Sequence, residues 1–509
     1  MVVLYFLVSF VYFFSVLFVV NFLHINCEIF ANKKKNPKTP IQNRKFVLSH
    51  QIEMSSKPSI PKGTRDFLPE TMVKRNYIFS TLKTVFEKYG FLPIETPSME
   101  NTETLMGKYG EEGDRLIFRI LDSGDSVKVA DVKALSENNF GRFANSISGK
   151  ALRYDLTVPF ARFVVQNQNE LSFPFKRYQI QPVWRADRPQ KGRYREFYQC
   201  DVDVVGTDSL LCEIELVQIA DECLSNLGFT DFTIKINNRK ILSGIAEVCG
   251  EADKLIDITV AIDKLDKIGI DGVIKELRER GVSDEAIKKI NPLFSLNGSN
   301  EEKLSSLKTF LELSEVGLKG IEELSYVFKK VFELGLKNAN FEIDVTLARG
   351  LNYYTGAIFE IKANNVQMGS ISGGGRYDNL TELFGLKGMS GVGISFGADR
   401  ICDVMNELNL FPQSTLASTK VLFINFGDAE QSQSMKLAKT LREKNIACEV
   451  YPSSAKMQKQ MQYANDRKIP FVVLIGSKEI ENNQVTFKNM ENGEQKTCSL
   501  DEMLKAINL

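Results

Sequence analysis

The first 53 residues differ in pattern from the rest of the chain. Residues 2–23 contain no charged side chain, over a span long enough to cross a bilayer as a helix. Lysines cluster between residues 33 and 38, and Glu28 is the only carboxylate before Glu53. Three interpretations fit: a membrane anchor, an organelle targeting segment, or sequence upstream of a working start at Met54. We interpret residues 1–53 as a hydrophobic and basic extension, with targeting as the preferred role, and exclude it from the folded body.

The body that follows alternates between helical and strand-like periodicity. From Met72 to Lys88, apolar residues recur every three to four positions, which predicts a helix that ends before Gly90. The strand-like stretch FLPIETP comes next. Further strand-like segments predict a sheet-rich domain with helices between the strands: 151–158, 175–185, 195–205, 341–347, 356–362 and 391–397.

Three later regions have patterns of their own. Residues 250–335 are charged and helix-periodic, which predicts a helical insertion. Residues 412–419, PQSTLAST, have the composition of a linker. Residues 420–509 alternate as β-α-β-α-β, which predicts a compact α/β domain on a largely parallel sheet. The chain is therefore predicted to have a body at 54–411 and a separate C-terminal domain.

Composition narrows the chemistry that the body can perform. Lys plus Arg equal Asp plus Glu, 64 each, so a polyanion site must be built from local clusters. The eight cysteines contain no C-x-x-C pair, which argues against a zinc ribbon or a thioredoxin-type site. The two histidines, His24 and His50, both lie in the extension, so the body has no histidine base, nucleophile partner or metal ligand. Carboxylates, Arg, Lys, Tyr and a ligand-borne metal ion remain.

The densest charge cluster lies in the loop of a predicted β-hairpin. Residues 175–185 and 195–205 are strand-like. Five cations occur within eleven residues, from the end of the first segment to the start of the second: Arg185, Arg188, Lys191, Arg193 and Arg195. Side-chain alternation puts Gln199, Asp201 and Asp203 on one face of the second strand, with Phe197. A solvated charged loop is the simpler interpretation of the loop alone. Acids on a strand face beside a cationic loop instead favour a mixed-charge ligand, with phosphates at the loop and an amine at the acids.

Other stretches carry side chains that are compatible with the same site: Asp155 and Thr157 in ALRYDLTVPFAR, Arg349, Tyr353 and Tyr354 in LARGLNYYTGAIFE, and Arg400 in GVGISFGADRI. Asp155 and Thr157 are two apart on a predicted strand and hence on one face. Each stretch alone is more typical of edge, surface or packing residues. Their occurrence together, in a body without histidine, favours a ligand site.

These stretches resemble the motifs of a known family. The helix and strand that end in TP, the hairpin with VWRADRPQKGRYREFYQCDVD, and GVGISFGADR resemble motifs 1, 2 and 3 of the class II aminoacyl-tRNA synthetases. RYDLTVPFAR and LARGLNYYTGAIFE resemble the histidine-binding elements of the histidyl-tRNA synthetase family, and SGGGRYDNL also matches. The resemblance runs from about Pro61 to the C-terminus, interrupted at the helical insertion, with the motifs in the family's order.

The resemblance implies a fold and a reaction. The implied fold is an α+β catalytic domain on an antiparallel sheet, residues 54–411 with a helical insertion at about 250–335, followed by an α/β anticodon-binding domain at 420–509. The implied reaction converts histidine and ATP, with Mg²⁺ on the ATP, into histidyl-adenylate and pyrophosphate. The histidyl group then moves to the 3′ end of tRNA(His). A homodimer formed through residues 70–100 is implied as well, and DNA is not an expected partner.

The resemblance also implies roles for individual residues. Arg185 and Arg349 would be catalytic, at the α-phosphate of ATP and at the substrate carboxylate. Further ATP contacts would come from Arg193 and Arg400. The histidine substrate would be held at both ends: Asp155, Thr157 and Gln199 at its α-amino group, and Asp203, Tyr353 and Tyr354 at its imidazole. Asn352 stands where the family usually has Asp, and no protein histidine or cysteine is expected to hold a metal.

Two other functions are alternatives: a non-catalytic, synthetase-like regulator, and a class II synthetase for another amino acid. Regulators tend to lose site residues or the C-terminal domain, whereas this chain keeps Arg185, Arg349 and Arg400. Asp203 with Tyr354 suits an imidazole, because an acceptor and a phenol can engage both ring nitrogens. The KMQK at 456–459 mimics a class I loop, but class I also needs an H-I-G-H element that this body lacks.

The extension and the implied reaction together predict a location. The reaction needs tRNA and ATP, which the cytosol and an organelle matrix both supply. The basic, acid-poor sequence between Lys33 and Lys45 favours import into the mitochondrial matrix with removal of the extension. A cytoplasmic product that starts at Met54 is the close alternative. No stable membrane association is expected of the mature enzyme.

Overall fold

The computed structural model describes residues 58–126, 128–348, 353–412 and 419–507. The extension at 1–53 and its predicted targeting role lie outside these residues. So do Arg349, Asn352 and residues 413–418 of the predicted linker. Among the described residues, no helix combines the length and the apolar character needed to cross a membrane.

The body is built around an eight-stranded sheet. Its described strands are, in chain order, β1 Leu92–Pro93, β2 Met99–Asn101, β3 Arg119–Ile120, β4 Lys150–Leu152, β5 Phe175–Trp184, β6 Glu196–Val205, β7 Phe232–Asn238, β8 Ala339–Ile343, β9 Ala357–Ala363, β10 Ser372–Tyr377 and β11 Gly391–Gly397. The sheet order is β1-β5-β6-β11-β10-β9-β7-β8, and β2, β4 and β3 form a separate small sheet. The edge pairs β1/β5 and β7/β8 are parallel and every pair between them is antiparallel. The predicted antiparallel catalytic sheet is confirmed.

Helices surround this sheet. Those of the body are α1 Pro69–Lys88, α2 Thr102–Leu105, α3 Gly110–Arg115, α4 Val132–Ser136, α5 Phe140–Ile147, α6 Thr157–Gln166, α7 Leu211–Asn226, α8 Arg239–Val248, α9 Leu255–Ile262, α10 Leu265–Glu279, α11 Asp284–Ile290, α12 Asn300–Phe310, α13 Glu315–Leu334 and α14 Ala398–Glu407. Three 3₁₀ turns accompany them, at Ala252–Lys254, Asn291–Ser295 and Thr381–Phe384. All described elements between β7 and β8 are helices, and this is the region where the sequence predicts the helical insertion.

The two faces of β6 have opposite chemistry. Cys200, Val202 and Val204 point into the main hydrophobic core, where apolar residues of α1 and α7 also pack. Gln199 and Asp203 alternate with them and therefore lie on the other face. Because side chains alternate with period two, the core side of the strand fixes the polar side. The strand pattern predicted from the sequence is present over the whole of β6.

One predicted strand, 151–158, is wrong over most of its length. The strand β4 ends at Leu152, and α6 begins at Thr157. Oδ1 of Asp155 accepts a hydrogen bond from the backbone N–H of Val158 (3.2 Å), which satisfies a donor of the first helical turn. Pro159 sits in that same turn, where a missing N–H costs nothing. Asp155 and Thr157 therefore do not share a strand face, although the turn brings both to the same pocket.

The C-terminal domain has its own core and its own sheet. Its elements are β12 Val421–Phe423, α15 Asp428–Glu443, β13 Cys448–Val450, α16 Met457–Asp466, β14 Phe471–Leu474, α17 Ser477–Glu481, β15 Val485–Asn489, β16 Gln495–Cys498 and α18 Leu500–Ile507. The sheet order is β13-β12-β14-β15-β16. Its first three strands are parallel, and β15 and β16 add antiparallel strands at one edge. The predicted α/β domain is confirmed, and its sheet is mixed.

Candidate active site

A pocket of about 350 Å³ opens on the polar face of the large sheet. It is bounded by the loop of the β5–β6 hairpin, by β6, β9, β10 and β11, and by the start of α14. Eight residues that the sequence assigns to a site line it: Asp155, Thr157, Arg185, Arg193, Gln199, Tyr353, Tyr354 and Arg400. The first and last of these residues, Asp155 and Arg400, are more than 240 positions apart in the sequence, and the fold brings them together.

One end of the pocket is cationic. Nε of Arg185 donates to the backbone oxygen of Tyr154 (3.0 Å), and its guanidinium lies over the Tyr154 ring, 4.2 Å from the centroid. Arg193 pairs with Asp187 at 3.0 Å across the hairpin loop. The guanidinium of Arg185 is thus held by a backbone carbonyl and by ring contacts, which leaves its charge for an anionic ligand.

Arg400 lies at the same end and is fixed by backbone contacts. Its Nε donates to the oxygen of Gly192 (2.7 Å), and its Nη1 donates to the oxygen of Ser370 (2.6 Å). Gly192 has φ of +70°, a conformation that suits glycine in this tight turn. Arg400 therefore connects the hairpin loop to the start of α14, and the bond of Tyr194 to Asp403 (2.8 Å) connects the loop to the same helix.

The start of α14 is also fixed from below. Asp399 accepts a hydrogen bond from the backbone N–H of Tyr198 (2.8 Å) and ion pairs from Arg65 and Arg75. The carboxylate of Asp399 is 3% exposed, so these charge-assisted contacts are shielded from water. They set the direction in which the neighbouring Arg400 enters the pocket. Sequence reasoning did not assign Arg65, which lies outside the motifs used, or Arg75, which lies in the predicted helix from Met72 to Lys88.

The other end of the pocket contains buried acceptors. Asp155 is 2% exposed and accepts hydrogen bonds from Tyr109 (2.8 Å) and Tyr353 (3.1 Å). Burial raises the pKa of Asp155 above its usual value, and the bonds from the two tyrosines oppose that rise. Asp155 is therefore a carboxylate held in place by two phenols. Tyr109 was not assigned from the sequence, because its contact with Asp155 joins two separate loops.

Gln199 contributes a second acceptor. Its Nε2 donates to Oγ of Ser395 (2.6 Å), which fixes the orientation of the amide. Its Oε1 is buried and has no hydrogen-bond partner within the part of the chain that the structure describes. A buried polar atom is nearly always paired in a folded protein. The amide oxygen of Gln199 is thus a ready acceptor for an N–H of a ligand.

Asp203 lies behind the pocket lining rather than in it. Its Oδ1 accepts from the phenol of Tyr377 (2.7 Å), and its Oδ2 lies 2.8 Å from Nη2 of Arg177. A side chain at Gly393 would clash with Oδ1 of Asp203, since an added Cβ would lie 2.0 Å from it. Tyr354 lines the pocket. Burial raises the pKa of the Tyr354 phenol, and the negative charge of Asp203 raises it further.

Arg177 and Tyr377 were missed by sequence reasoning, and a signal for Arg177 was present. In the β5–β6 register, Arg177 pairs with Asp203, Gln179 with Asp201, and Gln181 with Gln199. Polar residues thus alternate on β5 in step with those on β6. The period-two rule that assigned the face of β6 also assigns this face of β5.

Two adjacent tyrosines, Tyr353 and Tyr354, line the buried end of the pocket. The rings of Tyr353 and Tyr354 meet edge to face, with centroids 5.1 Å apart, at the buried end of the pocket. Arg349, predicted to be catalytic, and Asn352, where the family usually has Asp, lie outside the described residues.

Within the described residues, no group of three or more His, Cys, Asp and Glu side chains is arranged to hold a metal ion.

Comparison with known proteins identifies the family. The model of the histidyl-tRNA synthetase family matches residues 63–130 and 139–401, and an anticodon-binding domain model matches residues 420–508. The histidine–tRNA ligase of Christiangramia forsetii is 63% identical over 455 residues, which cover 89% of this chain and all of the relative. That of Phocaeicola vulgatus is 59% identical over 454 residues with the same coverage. The crystal structure of histidyl-tRNA synthetase from Nostoc sp. PCC 7120 has a TM-score of 0.75 at 32% identity, over 89% of this chain and 99% of that one. This chain belongs to the histidyl-tRNA synthetase family.

Proposed function

We propose that the pocket binds ATP and L-histidine side by side and joins them as histidyl-adenylate, which is then transferred to tRNA(His). The chain is a histidine–tRNA ligase. The observation that carries the assignment is the polarity of one pocket: Arg185 and Arg400 converge at one end, and the buried acceptors Asp155 and Gln199 lie at the other. A mixed-charge ligand pair, with phosphates and an ammonium group, matches this arrangement.

The cationic end is assigned to ATP. Arg185 binds the α-phosphate, Arg400 the distal phosphates, and Arg193 assists after it leaves Asp187. We propose that Mg²⁺ enters as part of the nucleotide substrate, because protein sites usually hold Mg²⁺ through one or two carboxylates plus substrate phosphates. Glu360 lines the pocket and bonds to the hydroxyl of Ser370, the residue whose carbonyl binds Arg400. A carboxylate of the required type is thus present at this end.

The chemical step needs little from the protein beyond positioning. The carboxylate of histidine is already a nucleophile, so no protein base is required. Attack on the α-phosphorus expels pyrophosphate and builds negative charge on the phosphoryl oxygens. A fixed cation beside that phosphorus stabilises the charge as it develops, which is usually the largest single catalytic contribution. We assign Arg185 to this position, and the family resemblance implies that Arg349 takes the substrate carboxylate and also lies by the α-phosphate.

The acceptor end is assigned to the amino acid. Asp155, Thr157 and Gln199 receive the α-ammonium group, and Tyr354 and Asp203 read the imidazole, beside Tyr353. Asp203 acts on the ring through Tyr354 and not by direct contact, because Tyr354 lines the pocket and Asp203 lies behind it. A site built on fixed hydrogen-bond partners rejects ligands that leave those partners unpaired. This selectivity separates the assignment from a class II synthetase for another amino acid.

The C-terminal domain is assigned to the anticodon of the tRNA. A groove of about 470 Å³ in this domain is lined by two aromatic rings and two cations, Tyr451, Tyr463, Lys456 and Lys459. RNA loops are read through unstacked bases that stack on aromatic side chains. Arg467, a third candidate phosphate contact, already pairs with Glu449 at 3.2 Å and lies over the Tyr463 ring. The groove therefore depends mainly on the two lysines for phosphate binding.

Assembly and location complete the proposal. The enzyme forms a homodimer through α1 and the strands that follow it, where large apolar side chains such as Leu92 and Met99 are more than half exposed. A monomer in sedimentation at micromolar concentration would contradict this.

The mature enzyme works in the mitochondrial matrix or, from a start at Met54, in the cytoplasm. The named relatives with curated sequences are bacterial and the family model begins at residue 63, which supports the Met54 alternative.

Histidine-dependent exchange of pyrophosphate into ATP tests the function directly. The full chain is incubated with ATP, labelled pyrophosphate and each amino acid in turn. We expect exchange with histidine and with no other amino acid. Exchange with a different amino acid would reassign the substrate, and no exchange with any of them would favour the non-catalytic regulator.

A further inference from the structure

A buried charge cluster lies beneath the amino-acid end of the pocket. The guanidinium of Arg177 faces two carboxylates: Nη2 is 2.8 Å from Oδ2 of Asp203 and 3.7 Å from Oδ2 of Asp201. All three side chains are at most 4% exposed. The ring of Phe160 covers the guanidinium at 4.3 Å. One buried cation thus faces two buried acids, and the cluster has one more acid than it has cations.

The hydrogen bonding of this cluster is incomplete. Nε and Nη2 of Arg177, Oδ1 of Asp201 and Oδ2 of Asp203 have no hydrogen-bond partner among the described residues. The ion pair of Arg177 with Asp203 is close, but it lacks hydrogen-bond geometry. Buried charged groups are costly unless they are paired and bonded. This cluster is therefore not a self-contained structural ion pair.

A second buried pair on the same sheet shows the contrast. Arg376 binds Glu213 through two parallel hydrogen bonds, Nε to Oε1 at 2.5 Å and Nη2 to Oε2 at 2.6 Å. One cation meets one acid there, and both residues are less than 5% exposed. The Arg376 pair is balanced in charge, whereas the Arg177 cluster is not.

The unbalanced charge acts on the pocket. Tyr354 lines the pocket, and burial followed by the charges of Asp203, Asp155 and Asp201 raises the pKa of its phenol. Gln199 projects from β6 on the same face as Asp201 and Asp203 and also lines the pocket. In a buried region of low dielectric, the electrostatic effect of the excess negative charge extends further than it would in water.

We propose that Arg177 is a positioning residue that sets the charge of the amino-acid end, by neutralising one of the two acids beneath it and leaving one negative charge for a cationic amino-acid ligand. The inference rests on the proposed function, because the ligand is the ammonium-bearing substrate. Arg177 acts through Asp203 and Asp201 and does not line the pocket itself. Because the cluster does not line the pocket at the nucleotide end, we expect ATP binding to be unchanged by its variants.

Variants of the full chain that remove or keep the excess negative charge of the cluster test the inference. Asp201→Asn removes the excess negative charge. We expect its Kd for histidine, measured by calorimetry at pH 8, above the pKa of about 7 of Asp201, to rise about tenfold, as for the loss of a contact with a charged group. Arg177→Met with Asp201→Asn removes one charge of each sign and so keeps the excess of one acid that the unmodified cluster has. This double variant is expected to bind histidine within about threefold of the unmodified chain. Arg177→Lys, which keeps the charge, is expected to behave likewise.

The KM values for histidine and ATP in pyrophosphate exchange provide the second measurement. Only the histidine KM is expected to rise in Asp201→Asn, with kcat and the ATP KM within about twofold. Arg376→Met is the matched control, because it breaks a buried pair of equal burial that does not line the pocket. It is expected to lower thermal stability and to leave both KM values unchanged.

Several results would overturn the inference. They are an unchanged histidine Kd in Asp201→Asn, a double variant no better than Asp201→Asn, and parallel rises in the Kd for histidine and for ATP. Failure of the unmodified chain to bind histidine would also overturn it. If histidine binds and the variants follow the expected order but exchange is absent, the charge inference stands and the proposed catalysis fails.

Discussion

The phenol oxygen of Tyr109 lies 2.8 Å from Oδ1 of Asp155, and neither side chain is more than 5% exposed. Tyr109→Phe removes this donor and leaves a buried carboxylate oxygen underbonded, at a cost of about 1 to 3 kcal/mol. We expect the histidine KM to rise roughly five- to hundredfold with little change in the ATP KM. The loss also raises the pKa of Asp155 further, because Tyr109 opposes the rise that burial causes. The histidine KM of the variant should therefore begin to increase at a higher pH than that of the unmodified chain when the pH is lowered.

Tyr89→Phe is the control for that experiment. The phenol of Tyr89 donates to Glu222 (3.0 Å), away from the pocket. Exchange kinetics are expected to be unchanged. Equal effects of the two substitutions, or equal rises in both KM values for Tyr109→Phe, would contradict a specific role of Tyr109.

Arg185→Lys tests the charge at the α-phosphate. Lysine keeps the charge and loses the planar fork that binds phosphate oxygens and stacks on Tyr154. The loss of a transition-state contact costs about 2.7 to 4 kcal/mol, or roughly 100- to 1000-fold in the exchange rate. Lys191→Ala in the same loop is the control, since Lys191 is exposed and pairs with Glu407. Near-normal exchange by Arg185→Lys would remove Arg185 from the catalytic step.

The pH dependence of stability tests the buried acids. Burial, with a further contribution from Asp203 and an opposing one from Arg177, raises the pKa of Asp201 from 3.8 to about 7. The folded protein then binds more protons than the unfolded chain between these values, so this acid lowers the free energy of unfolding progressively as the pH rises from about 4 to about 7. Asp201→Asn should give a flatter thermal-stability profile over this range and a higher Tm at pH 8.

Asp344→Asn is the control with the opposite sign. Although burial alone would raise it, the pKa of Asp344 is lowered below 3.8 by its bonds with Lys235 and Thr346. Its contribution to stability is therefore lost only as the pH falls below about 4. Between pH 5 and 8 this variant should run parallel to the unmodified chain. A parallel profile for Asp201→Asn as well would show that Asp201 does not titrate in this range.

Substitution of the two groove lysines tests the tRNA assignment. Lys456→Ala with Lys459→Ala should weaken tRNA binding and leave histidine-dependent exchange unchanged. Each lysine that contacts a phosphate of single-stranded RNA contributes about 0.7 to the slope of log affinity against log salt, so the slope should fall by about 1.4. Lys439→Ala, an exposed lysine on α15 outside the groove, is the control. An unchanged slope in the double variant would remove the groove from the tRNA interface.

N-terminal sequencing of the mature protein tests the location. A mature end between residues 30 and 50 in an organelle fraction supports import. An end at Met54 or Ser55 in the cytoplasm supports the internal start. Met1 retained in a membrane fraction would contradict both.

The sequence predicted most of this site because its chemistry follows local patterns. Period-two alternation along β6 assigned Gln199 and Asp203 to the polar face, and that face is where the structure has them. Patterns failed where a contact joins distant segments. The bond of Tyr109 to Asp155 and that of Tyr377 to Asp203 link residues 46 and 174 positions apart, with no periodicity to connect them.

The predicted strand at 151–158 failed for a different reason. Its residues alternate as a strand would, but the side chain of Asp155 accepts a hydrogen bond from the backbone N–H of Val158 in the first turn of the helix that begins at Thr157. A side chain that bonds the nearby backbone competes with the sheet pattern, and propensity does not reveal which of the two wins. The same bond brings Asp155 into the pocket.

The pairing of Arg177 with Asp203, Gln179 with Asp201 and Gln181 with Gln199 also bears on how faithfully the protein folds. A slip of either strand by one residue would turn its polar side chains into the core and its apolar ones outward. Misaligned hairpins are thereby penalised twice, by buried charges without counterions and by lost hydrophobic packing. The polar residues of β5 and β6 thus also select the correct strand register, so that ligand binding at the pocket lined by Gln199 requires a correctly aligned hairpin.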